Sequence, residues 1–290
     1  MLSSLVAGIA LAGVWPVNVA EASGYHKTSS YEDVVSFITQ LEKAGAPIEN
    51  RWIGKSTEGR KIPLVIVSDP PVHTAQEARA KGKLVVYIQA NIHAGEVEGK
   101  EAALIMLRRI AQDKAAGKPT LLKDMVLLVN PIYNADGNEK WGPVAKNRPE
   151  QDGPDIVGLR ANGQNFDLNR DCIKAESPEM KAALESVYTK WDPDVVMDLH
   201  TTDGTRHGYE LTYSPPLNPS TPNEVRTYSQ DVLLPAVRAD LKANKGILTF
   251  DYGNAEGTAW RTFGQEGRYV TNYAGLCNRI GILSEATTFI

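Results

Sequence analysis

Cysteine is scarce in this chain of 290 residues, Cys172 and Cys277 being its only two. Two thiols cannot build a disulfide framework, so the fold must rest on a packed core, for which a hydrophobic content of 42% is ample. Pairing after export and two free buried thiols are equally open. Runs of Lys or Arg are also missing, and the net charge is -4. Without a basic stripe, charge argues against nucleic acid and an anionic membrane surface as partners. Small molecules and peptides remain. No internal repeat, low-complexity tract or interdomain linker interrupts the chain, so residues 23–290 read as one domain whose oligomeric state the sequence leaves open.

Long apolar runs are lacking as well. Leu5 to Val19 is apolar but too short for a comfortable bilayer span. It is followed by Ala20-Glu21-Ala22, small residues at A-x-A spacing before Ser23-Gly24. Residues 1–22 therefore resemble a signal peptide, atypical because Met1-Leu2-Ser3-Ser4 supplies no basic n-region. A buried N-terminal helix is the alternative. The expectation is export to the periplasm or extracellular space, with no stable membrane insertion after signal removal.

What is present is alternation. Ser30 with Asp33 reads as a helix N-cap, and Val34, Val35, Ile38 and Leu41 recur at helical spacing up to Gly45. Arg51 to Gly54 and Ile62 to Val67, separated by a turn-like Lys55 to Arg60, suggest a β-hairpin. Gly54-Lys55-Ser56 is no phosphate loop, because position 49 is Glu where such a loop needs Gly. Lys83 to Gln89, Met125 to Asn130 and Asp194 to Leu199 read as buried strands. Helices are expected between them. One carries Ala102, Leu104, Ile105, Leu107 and Ile110 on its apolar face and Arg108, Arg109 and Lys114 on its solvated side; the other spans Pro178 to Lys190 behind Ser177 as N-cap. Such alternation implies an α/β fold with a mixed, largely parallel central sheet flanked by helices. Tyr133 to Ser177 lacks periodicity and is dense in Asn, Asp, Gly and Arg, as functional loops often are.

The chemistry starts at His93 and Glu96, a His-x-x-Glu pair where the strand gives way to a helix, at the carboxyl end where open α/β sheets place their sites. Chance can supply such a pair. His200 ends another buried strand and can project from the same sheet edge as a third ligand. A His, Glu, His set leaves a fourth position for water, the pattern of a catalytic rather than a structural zinc ion. Asp167 and Asp198 are candidates to accept the second ring N–H of these histidines. Amide hydrolysis also needs a base, and Gly281 to Ser284 resembles an apolar strand delivering Glu285. An exposed strand-end Glu is an equally open reading of that residue.

The order and spacing of these segments resemble the zinc carboxypeptidases of the carboxypeptidase A type, the funnelins, from Ser30 to Glu285. Ile53 to Ile62 is similar to the family's early hairpin, His93-Ala94-Gly95-Glu96 to its metal motif, and Asp198-Leu199-His200 to its third-ligand segment. Phe166-Asp167-Leu168-Asn169-Arg170 is the most telling match, and Ile282 to Glu285 resembles the strand of the catalytic glutamate. The resemblance implies a carboxypeptidase-like sandwich, one zinc ion, and a peptide substrate with a free C-terminus held by Asn169 and Arg170. It implies that Asp167 orients His93 and that a further arginine steadies the oxyanion. Arg160 is preferred for that task, with Arg148 the other residue at a plausible distance. Tyr269 and Tyr273 are in reach of the family's substrate-covering tyrosine position, with ordinary packing the simpler reading for both.

Two departures stand out. Asp171 follows Arg170 where digestive members carry Asn, which points to a bacterial-type branch. The sequence stops at Ile290, whereas family members continue into a C-terminal helix, so the catalytic domain reads as truncated. Two other functions stay open: a zinc deacylase or cell-wall peptide amidase of the same fold, and an inactive binding module on the same scaffold.

Overall fold

The computed structural model describes residues 15–288. Its first long helix, α1 (Tyr31–Lys43), starts at the expected capping box: Ser30 Oγ accepts from the Asp33 amide at 3.1 Å and the Asp33 carboxylate from the Ser30 amide at 2.9 Å. The hairpin follows as β1 (Ile48–Lys55) and β2 (Lys61–Val67), paired antiparallel. Then come β3 (Leu84–Ala90), α2 (Glu98–Ala115), β4 (Met125–Asn130) and α3, which runs as α-helix over Pro178–Ala183 and widens to π-type turns over Leu184–Thr189. The strand leading to His200 is β5 (Val195–Thr201).

Beyond β5 lie elements that the sequence reading leaves unassigned. They are β6 (Leu211–Ser214), a long helix α4 from Asn223 to Lys245, β7 (Thr249–Asp251), a small separate hairpin of Asn254–Glu256 with Ala259–Arg261, and α5 (Val270–Leu276). The expected final strand is β8 (Ile280–Ala286). The sheet order is β1-β2-β4-β3-β5-β8-β6-β7, with the four central strands β4, β3, β5 and β8 mutually parallel. The architecture is thus the mixed, largely parallel sheet flanked by helices.

Alternation with period two decides which layer each strand residue joins. Val65, Val67, Leu127 and Val129 face α1 and α2, where they meet Val34, Ile38, Leu41, Leu104 and Leu107. Leu64, Ile66, Val126 and Leu128 face the other way, in a cluster with Met180, Val187 and Ala274 from α3 and α5. Strands buried on both faces read as continuous apolar runs, which is why these segments stood out. At roughly 1.5–3 kcal/mol per buried aliphatic side chain, the two clusters are the main stabilising term.

The chain visits β4 on one side of β3 and then crosses to β5 on the other, so the topology reverses between β3 and β5. A crevice opens at the carboxyl ends of such a pair. Gly99 lets the first turn of α2 settle against β5; a Cβ there would fall 2.7 Å from Leu199 Cβ and 3.1 Å from its carbonyl oxygen.

The α2 face differs from the expectation. Ala103 and Ala111 are buried, whereas Ala102 is exposed and Ile105 only half-buried. Arg108, assigned to the solvated side, makes a two-point ion pair with Glu21 at 2.6 Å on each nitrogen. Of the segment resembling a signal peptide, residues 1–14 lie outside the described residues. Its end, Val19–Ala22, is a helical turn capped by Asn18, whose side chain also donates to the Glu101 carboxylate at 2.9 Å. Among the described residues no helix is long and apolar enough to cross a membrane.

Candidate metal centre

β3 ends at Ala90, and the chain turns through Asn91 at φ 63° into the loop that carries His93 and Glu96 ahead of α2. His200 lies one residue before the end of β5, opposite Glu285 in the neighbouring β8. The three strand ends therefore deliver His93, Glu96, His200 and Glu285 to one place, a cavity of about 110 Å³. One ligand atom from each of His93, Glu96 and His200 lies within 4.8 Å of the others, and all three residues are buried.

Both rings present the same atom inward. His93 Nδ1 is 2.8 Å from one Glu96 oxygen and His200 Nδ1 is 2.9 Å from the other. Outward, His93 Nε2 meets Asp167 at 3.1 Å and His200 Nε2 meets Asp198 at 2.7 Å. Asp198 is itself held by Gln89 at 3.2 Å, and the Thr201 amide donates to Glu96 at 3.1 Å. Each imidazole thus has carboxylate oxygens on both sides, an arrangement that in a buried site demands positive charge. Two extra protons can supply it, and so can one divalent cation accepted by the two Nδ1 lone pairs and the Glu96 carboxylate. The donor set fits zinc.

The charges respond accordingly. Burial opposes the ionised Glu96, but the charges and hydrogen bonds of His93 and His200 outweigh it and hold the carboxyl well below its usual range. Burial likewise opposes the imidazolium of His200, and Asp198 and Glu96 together hold it well above the usual histidine range. Asp167, despite its burial, is pulled far down by His93, Arg160 and Arg170. Glu285 is the exception. Burial pushes its carboxyl well up against the opposing pull of His200, with Glu96, Asp203 and Asp198 adding to the rise. Its carboxylate accepts no hydrogen bond from the described residues.

Arg160 lines the cavity. Its Nη2 and Nε bind Asp167 Oδ2 at 2.9 and 3.0 Å, and Nη1 reaches 3.4 Å from Glu96. Asn169 bridges elements: Nδ2 lies 3.2 Å from His200 Nε2, and Oδ1 accepts from the Val270 amide at 2.9 Å. Arg170 is partly exposed, donates to the Asn169 carbonyl at 2.7 Å and stacks over Tyr269 at 4.4 Å. Arg148 sits elsewhere. It is buried against Gly95, bound to Glu98 at 3.1 Å and Gln151 at 2.6 Å, beside a second cavity that shares His93 and Glu96. Tyr269 lines the first cavity, whereas Tyr273 packs edge-on against Tyr188. Cys172 and Cys277 are both free.

Sequence reasoning missed Thr201, Asp203, Tyr252, Phe263, Thr271 and Leu283, which complete the wall. Of these, Leu283 had a signal, since it lies two residues before Glu285 on one strand and must share its face, and Thr201 directly follows His200.

Residues 34–275 match the family model described as zinc carboxypeptidase, peptidase family M14. The chain belongs to that family. It is similar to Carboxypeptidase 2 of Trichophyton rubrum, 27% identical over 219 residues that cover 74% of this chain and 34% of that protein. In structure it resembles a metallo-carboxypeptidase from Burkholderia cenocepacia, with a TM-score of 0.64 and 17% identity over 91% of this chain and 62% of that one. It also resembles the Pseudomonas aeruginosa metallo-carboxypeptidase in complex with (2-guanidinoethylmercapto)succinic acid, with a TM-score of 0.63 and 21% identity over 91% and 61% of the two chains. The chain spans about a third of the length of the curated relatives it matches. Zinc is the metal the family description names, and His93, Glu96 and His200 are the described residues arranged to hold one ion.

Proposed function

We propose that this chain is a zinc-dependent metallocarboxypeptidase that hydrolyses the C-terminal bond of a peptide. One observation carries the reading: a buried His, Glu, His set shares its cavity with a buried carboxylate, Glu285, that has no hydrogen-bond partner among the described residues, and an arginine, Arg170, that remains partly exposed. Bound there by His93, Glu96 and His200, zinc supplies Lewis acidity toward a carbonyl and makes water a better acid. The protein's own groups do the rest. Glu285, whose burial makes its carboxylate a stronger base, takes in that ionised form the proton of the attacking water and returns it to the leaving amine. Arg160 offers N–H groups to the oxyanion. Arg170 meets the terminal carboxylate with two parallel N–H groups, its plane set by Tyr269 beneath it. Export by way of residues 1–22 belongs to the same proposal.

Matched peptides with free and amidated C-termini test it, with zinc content measured alongside. The free peptide should be cleaved preferentially, and Arg170→Ala should erase most of that preference. Glu285→Gln should keep its zinc while kcat falls by roughly 10²–10⁴. Equal cleavage of both peptides would favour the deacylase or amidase reading, and absence of both zinc and turnover the binding module.

A further inference from the structure

Two of the three metal ligands, His93 and Glu96, do not lie at the bottom of one pit but on the divide between two, while His200 lines the first alone. The first cavity holds Asn169, Arg170 and Glu285, and the second is walled by the loop from Asn147 to Gln151; His93, Glu96, Arg160 and Asp203 line both. If the terminal carboxylate sits at Arg170, the first cavity takes the leaving residue. The part of the peptide on the acyl side must then leave across Asp203 into the second. This step rests on the carboxypeptidase reading.

Among the described residues on that divide, Asp203 is the charged side chain with no hydrogen-bond or ion-pair partner, although Arg160 beside it feels its charge. Glu96 faces the two histidines, and Arg160 is occupied by Asp167 and Glu96. Arg148, over the second cavity, is tied to Glu98 and Gln151. The Asp203 carboxylate accepts no hydrogen bond and makes no ion pair among the described residues, although it is half-buried two residues beyond the end of β5. A partly desolvated carboxylate on a substrate path gains most from a cation with N–H donors. We propose that Asp203 receives an ammonium group of the residue just before the scissile bond, and so selects substrates with positive charge there. Either a lysine side chain or the free α-amino group of a dipeptide carries that chemistry.

Two substrate pairs separate these sources. Acetyl-Ala-Lys-Phe is compared with acetyl-Ala-norleucine-Phe, and Ala-Phe with acetyl-Ala-Phe, in parent, Asp203→Asn and Asp203→Glu, each checked for zinc content and melting temperature. The parent should prefer the charged member of at least one pair roughly tenfold in kcat/KM. The ratio should fall to about one in Asp203→Asn and recover in part in Asp203→Glu. A parent ratio near one in both pairs, or a ratio that survives Asp203→Asn, overturns the proposal. If no peptide is turned over, the carboxypeptidase reading fails and the same ratios are read as Kd by calorimetry on the zinc-loaded protein. Equal affinities then overturn the Asp203 proposal, and a charge preference abolished in Asp203→Asn upholds it.

Discussion

His93 and His200 lie with ring centroids 4.7 Å apart and planes tilted by 60°, each turning Nδ1 inward and Nε2 toward a carboxylate. The outer partners are unequal. Asp198 is buried and shorter-bonded, while Asp167 is partly exposed and shared with Arg160. Replacing Asp198 by Asn should weaken zinc binding about 10–100-fold, and replacing Asp167 by Asn should weaken it less. Competition with a calibrated chelator measures both, and an Asp167 variant weaker than the Asp198 variant would refute the ranking.

Gly99 gives a second handle on the same centre. Gly99→Ala places a methyl against Leu199, one residue before His200, and must push α2 away from β5. Such overpacking costs about 1–3 kcal/mol. Because Glu96 leads into α2 and His200 sits on β5, the variant should lose zinc affinity as well as stability. Unfolding and metal titration on the same sample show whether the two losses occur together; a stability loss with intact affinity would uncouple them.

Glu179 supplies a pH-dependent test away from the centre. It is buried, with Oε2 bound by Asn162 at 3.1 Å and Oε1 without a hydrogen-bond partner among the described residues. Burial raises its carboxyl above the ordinary 4.5. The folded state therefore holds this proton more tightly than the unfolded chain. Stability from that tighter binding is present below pH 4.5 and is lost as pH rises through the folded value. Glu179→Gln should accordingly melt above the parent at pH 7.5, with the gap closing on acidification. A gap independent of pH would mean that the carboxylate charge is not the cause.

The clasp of the N-terminal segment on α2 makes a further prediction about processing. Cleavage after Ala22 would remove Asn18 and Glu21, leaving Arg108 without its carboxylate and Glu101 with Thr28, Ser29 and the more distant Lys100. A chain starting at Ser23 should be less stable in urea than one starting at Trp15, by at least about 1 kcal/mol. Equal midpoints and slopes would show that the clasp contributes nothing.

Much of the site was legible because its residues sit where a change in pattern marks them. His93, His200 and Glu285 each follow an apolar run, and runs buried on two faces are the clearest signal an α/β sequence gives. From β6 through α5 the fold was not legible. β6 and β7 are four and three residues long, and α4 buries little beyond Leu234 and Ser229, so neither period is written strongly. Asp203 and Tyr252 were invisible for another reason. They sit in irregular segments that only the closed sheet brings to the cavity, and no local pattern encodes that proximity.

The strand order also fixes when the parts of the centre come together. β8 lies between β5 and β6, and β6 and β7 reach the rest of the sheet only through it. The metal ligands come from the first 200 residues, whereas the proposed base rides on the last described strand. A nascent chain of this kind can assemble its ligands while β5 is still a bare edge, yet it lacks a base until β8 inserts. On the proposed mechanism, closure of the sheet and arrival of the base at the metal ligands are then one event.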